Sequence, residues 1–337
     1  MKHKTNITLK QLAEILNVSI STISKALNDS SEISNATKKR IKEAAEIYSY
    51  QPNKMAVNLK SGRTNTIGVI IPSIRNNFFT EVLYGIEKTL EDTSYKILVS
   101  ITNESFKKEE SSLESYSNGM VDGIIIAVAE ETQTLENYKH IELVLQIGVP
   151  IVMFDRIIPS PNLDTIVGDD LEAVYNSVRF LIGKGKKNIA MVSTIHKLNV
   201  GVQRHKGFEK GIIETYGKTQ KDFMVETSEE LLEKSVTRLL KQPVDAVIAM
   251  DEESSLAVLK ALKKNNNKLQ NKIAVIGYAN ERISENVSPS LTTINQHGFE
   301  MGERAALQLL DRLKTNTSGS KAISIPSSLV YRETTSV

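Results

Sequence analysis

The opening residues alternate apolar and polar positions with the period of an α-helix. Leu9, Leu12, Ala13 and Leu16 recur at spacings of three and four and so share one face. Thr8 stands three residues before Gln11, the spacing of a capping box, which sets the helix start. Asn17 then interrupts, and Asn tolerates the left-handed backbone of a tight turn. Ser19 is a second N-cap candidate, and Ile23, Ala26 and Leu27 give the next helix its buried face. A third helix is predicted from near Ser34 to about Tyr48, with Ile41, Ala44, Ala45 and Tyr48 inward. Pro52 punctuates. The segment NKMAVNLKSG then reads as a short helix that Gly62 ends.

From Thr66 the texture changes to apolar runs of strand length alternating with helical stretches. The strand candidates are 66–71, 96–101, 123–129, 151–154, 165–168, 189–193, 245–250, 273–279 and 291–295. Most are apolar on both faces, the pattern of parallel strands covered by helices on each side. The body is therefore expected to be α/β and doubly wound. About nine strands are more than one open sheet usually holds, so two sheets are expected. The best seam is IIPSPNLD at 157–164, with two prolines.

Composition narrows the function. The 337 residues include no cysteine, which excludes disulfides, zinc-thiolate sites, iron–sulfur clusters and a cysteine nucleophile, and fits a reducing cytoplasm. No apolar run approaches the ~20 residues of a membrane span, and the N-terminus lacks the apolar core of a signal peptide. The net charge of +2 hides an asymmetry: residues 1–63 carry eleven Lys/Arg against five Asp/Glu, and the remainder is mildly acidic. A basic head on an acidic body points to a nucleic-acid module joined to something else. Catalysis finds no support. GKGKKN at 183–188 precedes a strand rather than following one, the five histidines lack ligand spacing, and neither HExxH nor Gly-x-Ser-x-Gly occurs. The expectation is a binding protein with no metal, no catalytic residues and no cofactor.

The head carries the sharper signal. LKQLAEILNVSISTISKALN at 9–28 spells a helix-turn-helix. Leu12, Leu16, Val18, Ile23 and Ala26 would fill the angle between the helices, and Ala13 is small where they cross. Ser21, Lys25 and Asn28 fall on one outward face with Ile20 beside them, and Lys25 has the reach to contact a guanine.

From Thr8 to Phe79 the chain resembles the start of a LacI/GalR (lac repressor) family regulator. The resemblance continues through FDR at 154–156, IVGDD at 166–170, QRHKGFEKG at 203–211, DAVIAMDEESSLAVLKAL at 245–262, VIGYAN at 275–280, SPSLTTINQ at 288–296 and LVYRET at 329–334. It implies an all-α helix-turn-helix headpiece over 1–50 and a hinge helix and linker over 51–63. It implies an α/β, two-lobed, periplasmic-binding-protein-like body over 64–337, built on two doubly wound parallel sheets. The first lobe would span about 64–161 plus 295–323 and the second about 162–294 plus 324–337, with crossings near 160–164, 291–296 and 322–327.

The resemblance also assigns roles. Ile20, Ser21 and Lys25 match major-groove readers. Ser19, Thr22, Ser24, Asn28, Ser34, Thr37 and Asn53 match phosphate contacts, a task suited to hydroxyls, amides and helix N-termini. Ala56 and Leu59 match hinge residues that enter the minor groove, where an apolar wedge kinks the duplex. Effector contacts fall on Asn77, Phe78, Phe79, Asp155, Arg156, Arg204, Asp251 and the pair Ala279–Asn280. Rings beside charged groups suit a sugar or sugar derivative. Asp251 stands where the family often has Asn, and Ala279 where it often has Asp. Structural readings stay open beside these: Phe78 and Phe79 in the core, Asp155 as a helix cap or the ion-pair partner of Arg156, and Arg204 paired with a nearby acid. The implied protein is a cytoplasmic homodimer on a pseudo-palindromic double-stranded DNA operator, without membrane contact, probed by a small molecule between its lobes. With the chain stopping soon after YRET, no leucine-repeat tetramer tail is expected. A sugar-binding receptor whose head contacts proteins is the alternative.

Overall fold

The computed structural model describes residues 7–50, 63–264, 272–315 and 319–336. The chain divides into two compact units, Met1–Thr64 and Asn65–Val337. Asn53, Ala56 and Leu59, with the expected hinge helix, lie outside the described residues.

In the first unit the described residues form helices α1 (Leu9–Leu16), α2 (Ile20–Leu27) and α3 (Asn35–Ile47). The capping box is present: Gln11 N donates to Thr8 Oγ1 at 3.2 Å and Thr8 N to Gln11 Oε1 at 2.8 Å. Asn17 ends α1 in the left-handed region, at φ 52°. Ser19 caps α2 by accepting from Thr22 N, and Ser34 caps α3 by accepting from Thr37 N. Leu12, Ala13, Leu16, Ile23, Ala26, Ile41, Ala44 and Ala45 are buried together, with Val18 and Leu27 packed against them. Tyr48, expected inward, is instead 43% exposed. It continues the Ile41–Ala45 stripe but stands beyond the last helical residue, as the C-cap of α3.

The second unit begins with β1 (Thr66–Ile71), α4 (Asn77–Leu90), β2 (Lys96–Ile101) and α5 (Phe106–Ser115). It continues with β3 (Gly123–Ile126), α6 (Glu130–Thr134), α7 (Lys139–Ile147), β4 (Ile151–Phe154) and β5 (Asp164–Gly168). Next come α8 (Asp170–Gly183), β6 (Ile189–Ser193), α9 (Asn199–Tyr216), β7 (Met224–Glu226), α10 (Glu229–Leu239), β8 (Ala246–Ala249) and α11 (Glu252–Lys264). The chain closes with β9 (Ala274–Gly277), α12 (Glu281–Asn286), β10 (Thr292–Asn295), α13 (Gly298–Lys314), β11 (Ala322–Ile325) and β12 (Ser328–Val330).

These strands make two six-stranded sheets, in the orders β11-β5-β4-β3-β1-β2 and β12-β10-β9-β8-β6-β7. Pairing is parallel except between β10 and β12. Each sheet is covered on both faces. In the first lobe one face buries Val69, Phe79, Val82, Ile86, Met301 and Leu309 under α4 and α13. The other buries Leu113, Ile124, Ile141 and Val144 under α5 and α7. In the second lobe Val174, Val178, Phe208 and Ile212 of α8 and α9 cover one face. Leu232, Val236 and Val258 of α10 and α11 cover the other. The two-sided burial explains why the central strands read as unbroken apolar runs.

Three strands lack that signal. β7, β11 and β12 all lie on sheet edges, and β11 alternates exposed and half-buried positions until Ile325. The first crossing also differs from expectation. β5 pairs with β4 and β11, so the first lobe runs through Gly168 rather than ending near 161, and the chain crosses at Asp169. The prolines at 159 and 161 mark only a loop between two strands of the same sheet. The other crossings lie at 296–297 and 326–327, between β10 and α13 and between β11 and β12. Ser327 N donates to Asp169 Oδ1 at 2.7 Å, and His297 Nε2 lies 2.8 Å from Ser328 Oγ, so side chains tie all three crossings together.

Helices α4 and α13 approach closely through glycine. A Cβ added at Gly302 would lie 2.1 Å from Val82 O, and one at Gly85 would lie 2.1 Å from Phe299 O. Backbone cannot move aside as a flexible side chain does. Gly302→Ala is therefore expected to destabilise the protein by about 1–3 kcal/mol or more, read as a lower urea midpoint at unchanged slope. An unchanged midpoint would mean that the helices separate freely.

Candidate functional site

The head presents an outward face on α2. Ser19, Ile20, Ser21, Lys25 and Asn28 are exposed, and Thr22 and Ser24 half-buried. Ser34 is exposed and Thr37 half-buried at the start of α3. Hydroxyls cluster at the helix N-termini: Ser19 Oγ lies 2.7 Å from Ser21 Oγ and 2.8 Å from Thr22 Oγ1, and Ser34 Oγ lies 2.8 Å from Thr37 Oγ1. Helix N-termini carry unpaired N–H groups and partial positive charge, which favours anions. Much of the head's positive charge is already engaged. Lys25 pairs with Glu32, Lys42 pairs with Asp29 at 2.9 Å, and Arg40 Nη2 donates to Leu16 O at 3.1 Å. Lys42 holds the Asp29 carboxyl below its ordinary pKa.

The body holds a cleft between its lobes, with a cavity of about 100 Å³. It lies where loops follow the carboxyl ends of parallel strands, the usual ligand position in open α/β sheets. Phe78, Phe79, Asp155, Arg156, Arg204, Asp251 and Asn280 line it, with Ala279. Asn77 does not line it. Its amide donates to the Glu252 carboxylate at 3.2 Å, joining the first turn of α4 to that of α11 across the lobes. Phe79 is also a core residue, edge-on to Phe154 at 6.2 Å, so one side chain meets both readings open in the sequence.

The charged residues are paired differently from expectation. Arg156 does not bond Asp155. Its Nη1 donates to both oxygens of Glu104, at 2.8 and 2.6 Å, and its guanidinium lies 5.3 Å from the Phe79 ring centroid. Arg204 is buried, donating to Asp170 Oδ1 at 2.6 Å and Met250 O at 2.5 Å. Its guanidinium lies 3.7 Å from the Tyr278 ring centroid. Burial opposes the Arg204 charge, but Asp170, Tyr278 and Asp155 outweigh it and hold its pKa above the usual value. Asp251 is a cap: it accepts from Ser254 N, Ser254 Oγ and Thr194 N, each at 2.8 Å. Asn280 caps α12 by accepting from Ile283 N at 2.8 Å.

Asp155 stands apart. It is 5% exposed, and among the described residues no hydrogen bond or ion pair reaches its carboxylate. Its backbone is left-handed, at φ 55°. The main chain is fixed on both sides, since Asp155 N donates to Ile166 O at 2.9 Å and Asn199 Nδ2 donates to Asp155 O at 3.0 Å. Burial, reinforced by Asp170, pushes its pKa up to about 6 against the pull of Arg204 and Arg156. Burial likewise raises the Tyr278 phenol, whose Oη has no hydrogen-bond partner. Burial also raises Glu252, against the hydrogen bond from Asn77.

Periodicity alone does not single out Tyr278, Glu252, Asp170 or Glu104. Asp170 lies within IVGDD and Tyr278 within VIGYAN, where the pattern suggests strand ends but not partners. Among the described residues no cluster of His, Cys, Asp and Glu fits a metal ion, and no helix is long and apolar enough to cross a membrane.

Comparison with known proteins places this geometry. Residues 64–333 match the profile of periplasmic binding proteins and the sugar binding domain of the LacI family. Residues 8–53 match that of bacterial regulatory proteins of the lacI family. The chain belongs to the LacI family. It is 29% identical to catabolite control protein A of Priestia megaterium over 98% of this chain and 99% of that protein. Its fold is similar to that of the lac repressor dimer bound to operator and the anti-inducer ONPF. The TM-score is 0.84 at 21% identity, covering 98% of this chain and 99% of that one. The transcriptional regulator CelR in complex with cellobiose aligns with TM-score 0.72 at 21% identity, covering 97% and 99%.

A carboxyl whose pKa is raised by folding costs stability once pH climbs above its unfolded value, and the cost is complete above the folded value. For Asp155 that window runs from 3.8 to about 6. Asp155→Asn is expected to stabilise the ligand-free protein by about 1–3 kcal/mol at pH 7.5, with much less gain at pH 4. Urea melts at the two pH values check this. An equal effect at both would show that the carboxylate is neutralised from elsewhere.

Proposed function

We propose that this LacI-family protein is a sequence-specific DNA-binding transcriptional regulator, of the repressor kind. Its operator affinity is set by a small molecule bound between the two lobes. The observation that carries the reading is the exposed face of α2, with Ile20, Ser21, Lys25 and Asn28 beyond the Ser19 cap. It stands at the head of a chain whose body holds a cleft lined by aromatic rings and charged side chains. In this reading Ile20, Ser21 and Lys25 meet base edges, while the hydroxyls and amides near the starts of α2 and α3 meet phosphates. Asn53 takes a phosphate, and Ala56 and Leu59 enter the minor groove. Lys25 exchanges Glu32 for DNA on binding, an exposed pair that costs little to break.

Two heads of a homodimer read the halves of a pseudo-palindrome, which multiplies the few phosphate contacts that one small head makes. The lac repressor comparison, a dimer on its operator, supports that arrangement, and the CelR–cellobiose complex supports a carbohydrate in the cleft. The protein acts by binding rather than catalysis, in the compartment that holds the DNA. Effector binding shifts the balance between lobe arrangements and so couples to DNA affinity.

Selection of bound sequences from random DNA by the full-length protein, at fixed salt, tests the reading. A two-fold symmetric motif with a constrained centre is expected. Lys25→Ala should relax the preference at one position of each half-site, at a cost of about 1–3 kcal/mol. Purely salt-sensitive binding with no enriched motif would remove the reader role. An unchanged preference in the variant would leave Lys25 a phosphate contact only.

A further inference from the structure

The cleft is lined by four carboxylates, Glu81, Asp155, Asp251 and Glu252, against two guanidiniums, Arg156 and Arg204. Each guanidinium already carries a carboxylate partner. Arg156 makes a two-pronged pair with Glu104, and Arg204 is held by Asp170 and Met250 O with Tyr278 across its face. Each arginine in the wall thus brings a further carboxylate behind it. Among the described lining residues no cation is left unpaired. The open charge is negative: Asp155 is buried without a partner, and Glu252 is met only by the neutral amide of Asn77. Asp251 has three donors and little capacity left. Among the described lining residues, the Tyr278 hydroxyl is a buried group with no hydrogen-bond partner.

A carboxylate accepts a charge-assisted bond from a hydroxyl or an ammonium alike, but in a wall of four carboxylates and two guanidiniums the ammonium also gains from the net negative charge. A phosphate in the same space would meet that net negative charge, with both guanidiniums already paired to carboxylates. The Phe78 and Phe79 rings supply apolar faces of the kind that cover a sugar ring.

We propose that the cleft takes a polyhydroxylated ligand bearing an ammonium group, an amino sugar in chemical class, with the ammonium on Asp155 and a ligand hydroxyl on Tyr278. It discriminates against sugar phosphates. This rests on the reading of the cleft as the effector site and specifies its ligand.

The test is a calorimetric screen of the full-length protein at pH 7.5 against pentoses, hexoses and disaccharides. Each is supplied in amino, hydroxyl and phosphate form; glucosamine, glucose and glucose 6-phosphate are one such trio. An amino form should bind best, by on the order of tenfold over its hydroxyl counterpart. Asp155→Asn should weaken the amino form by a similar factor. Asn is comfortable in the left-handed backbone at this position, and the ligand-free melting temperature reports that the variant is folded. A preference for phosphate or neutral forms overturns the proposal. So does a screen in which no amino form binds, or an amino form that binds Asp155→Asn as tightly as wild type. Failure of the underlying reading looks different: a ligand of any form whose affinity survives both Asp155→Asn and Ala279→Phe, which fills the cleft, binds elsewhere on the protein.

Discussion

A largely buried carboxylate at the wall of the cleft, with no hydrogen-bond or ion-pair partner among the described residues, is the constraint around which the body is arranged. Asp155 follows the central strand β4, and its backbone cannot relax: Ile166 holds its N–H and Asn199 its carbonyl. The two arginines nearby ease its charge but are tied to Glu104 and Asp170. Folded proteins rarely leave a buried charge unpaired, so a carboxylate this little exposed at a cleft wall is one that a ligand donor can complete. The two covered sheets supply the stability that permits it. Aliphatic side chains from helices on both faces leave Ile124, Val152, Ile166, Val247 and Ile276 with no exposed surface or nearly none.

The same region joins the lobes. Asn199, at the start of α9, bonds both Asp155 O and Gln133, whose amide reaches Asn199 Oδ1 at 2.6 Å and receives Asn199 N at 3.1 Å. On another side Asn77 meets Glu252. At the crossings, Asp169, Ser327, His297 and Ser328 tie the connecting segments together. Polar bonds of this kind, between neutral or half-exposed groups, each contribute about 1 kcal/mol net. A ligand that bridges the lobes competes on that scale, which suits a switch between two arrangements better than a large apolar interface would.

Much of this was legible in the sequence, for physical reasons that differ by element. The head was readable because its helices announce themselves three times over: in the 3.6-residue stripe of Leu12, Leu16, Ile23 and Ala26, in the caps at Thr8, Ser19 and Ser34, and in the left-handed Asn17. The central strands were readable because burial on both faces leaves only apolar residues. Among the edge strands β2 kept an apolar run in KILVSI and could be read, whereas β7, β11 and β12 are only three or four residues long and mixed in character. The seam was misplaced because prolines mark a loop without telling whether the chain stays in its sheet. In the cleft the lining positions followed from strand ends, yet their partners did not. Arg204 finds Asp170 across 34 positions of sequence and Arg156 finds Glu104 across 52. Such pairings belong to tertiary packing, which no local pattern encodes.

The central claim is that a ligand in the body controls DNA binding by the head. It is tested most directly by measuring the affinity of the full-length protein for its selected operator, at fixed salt, with and without a ligand that binds the cleft. A change in operator affinity of about fivefold or more is expected, and, by reciprocity, the same factor in ligand affinity when operator is present. Equal operator affinity with the cleft empty and saturated would contradict it, leaving a DNA-binding protein whose sugar-binding fold is not its sensor.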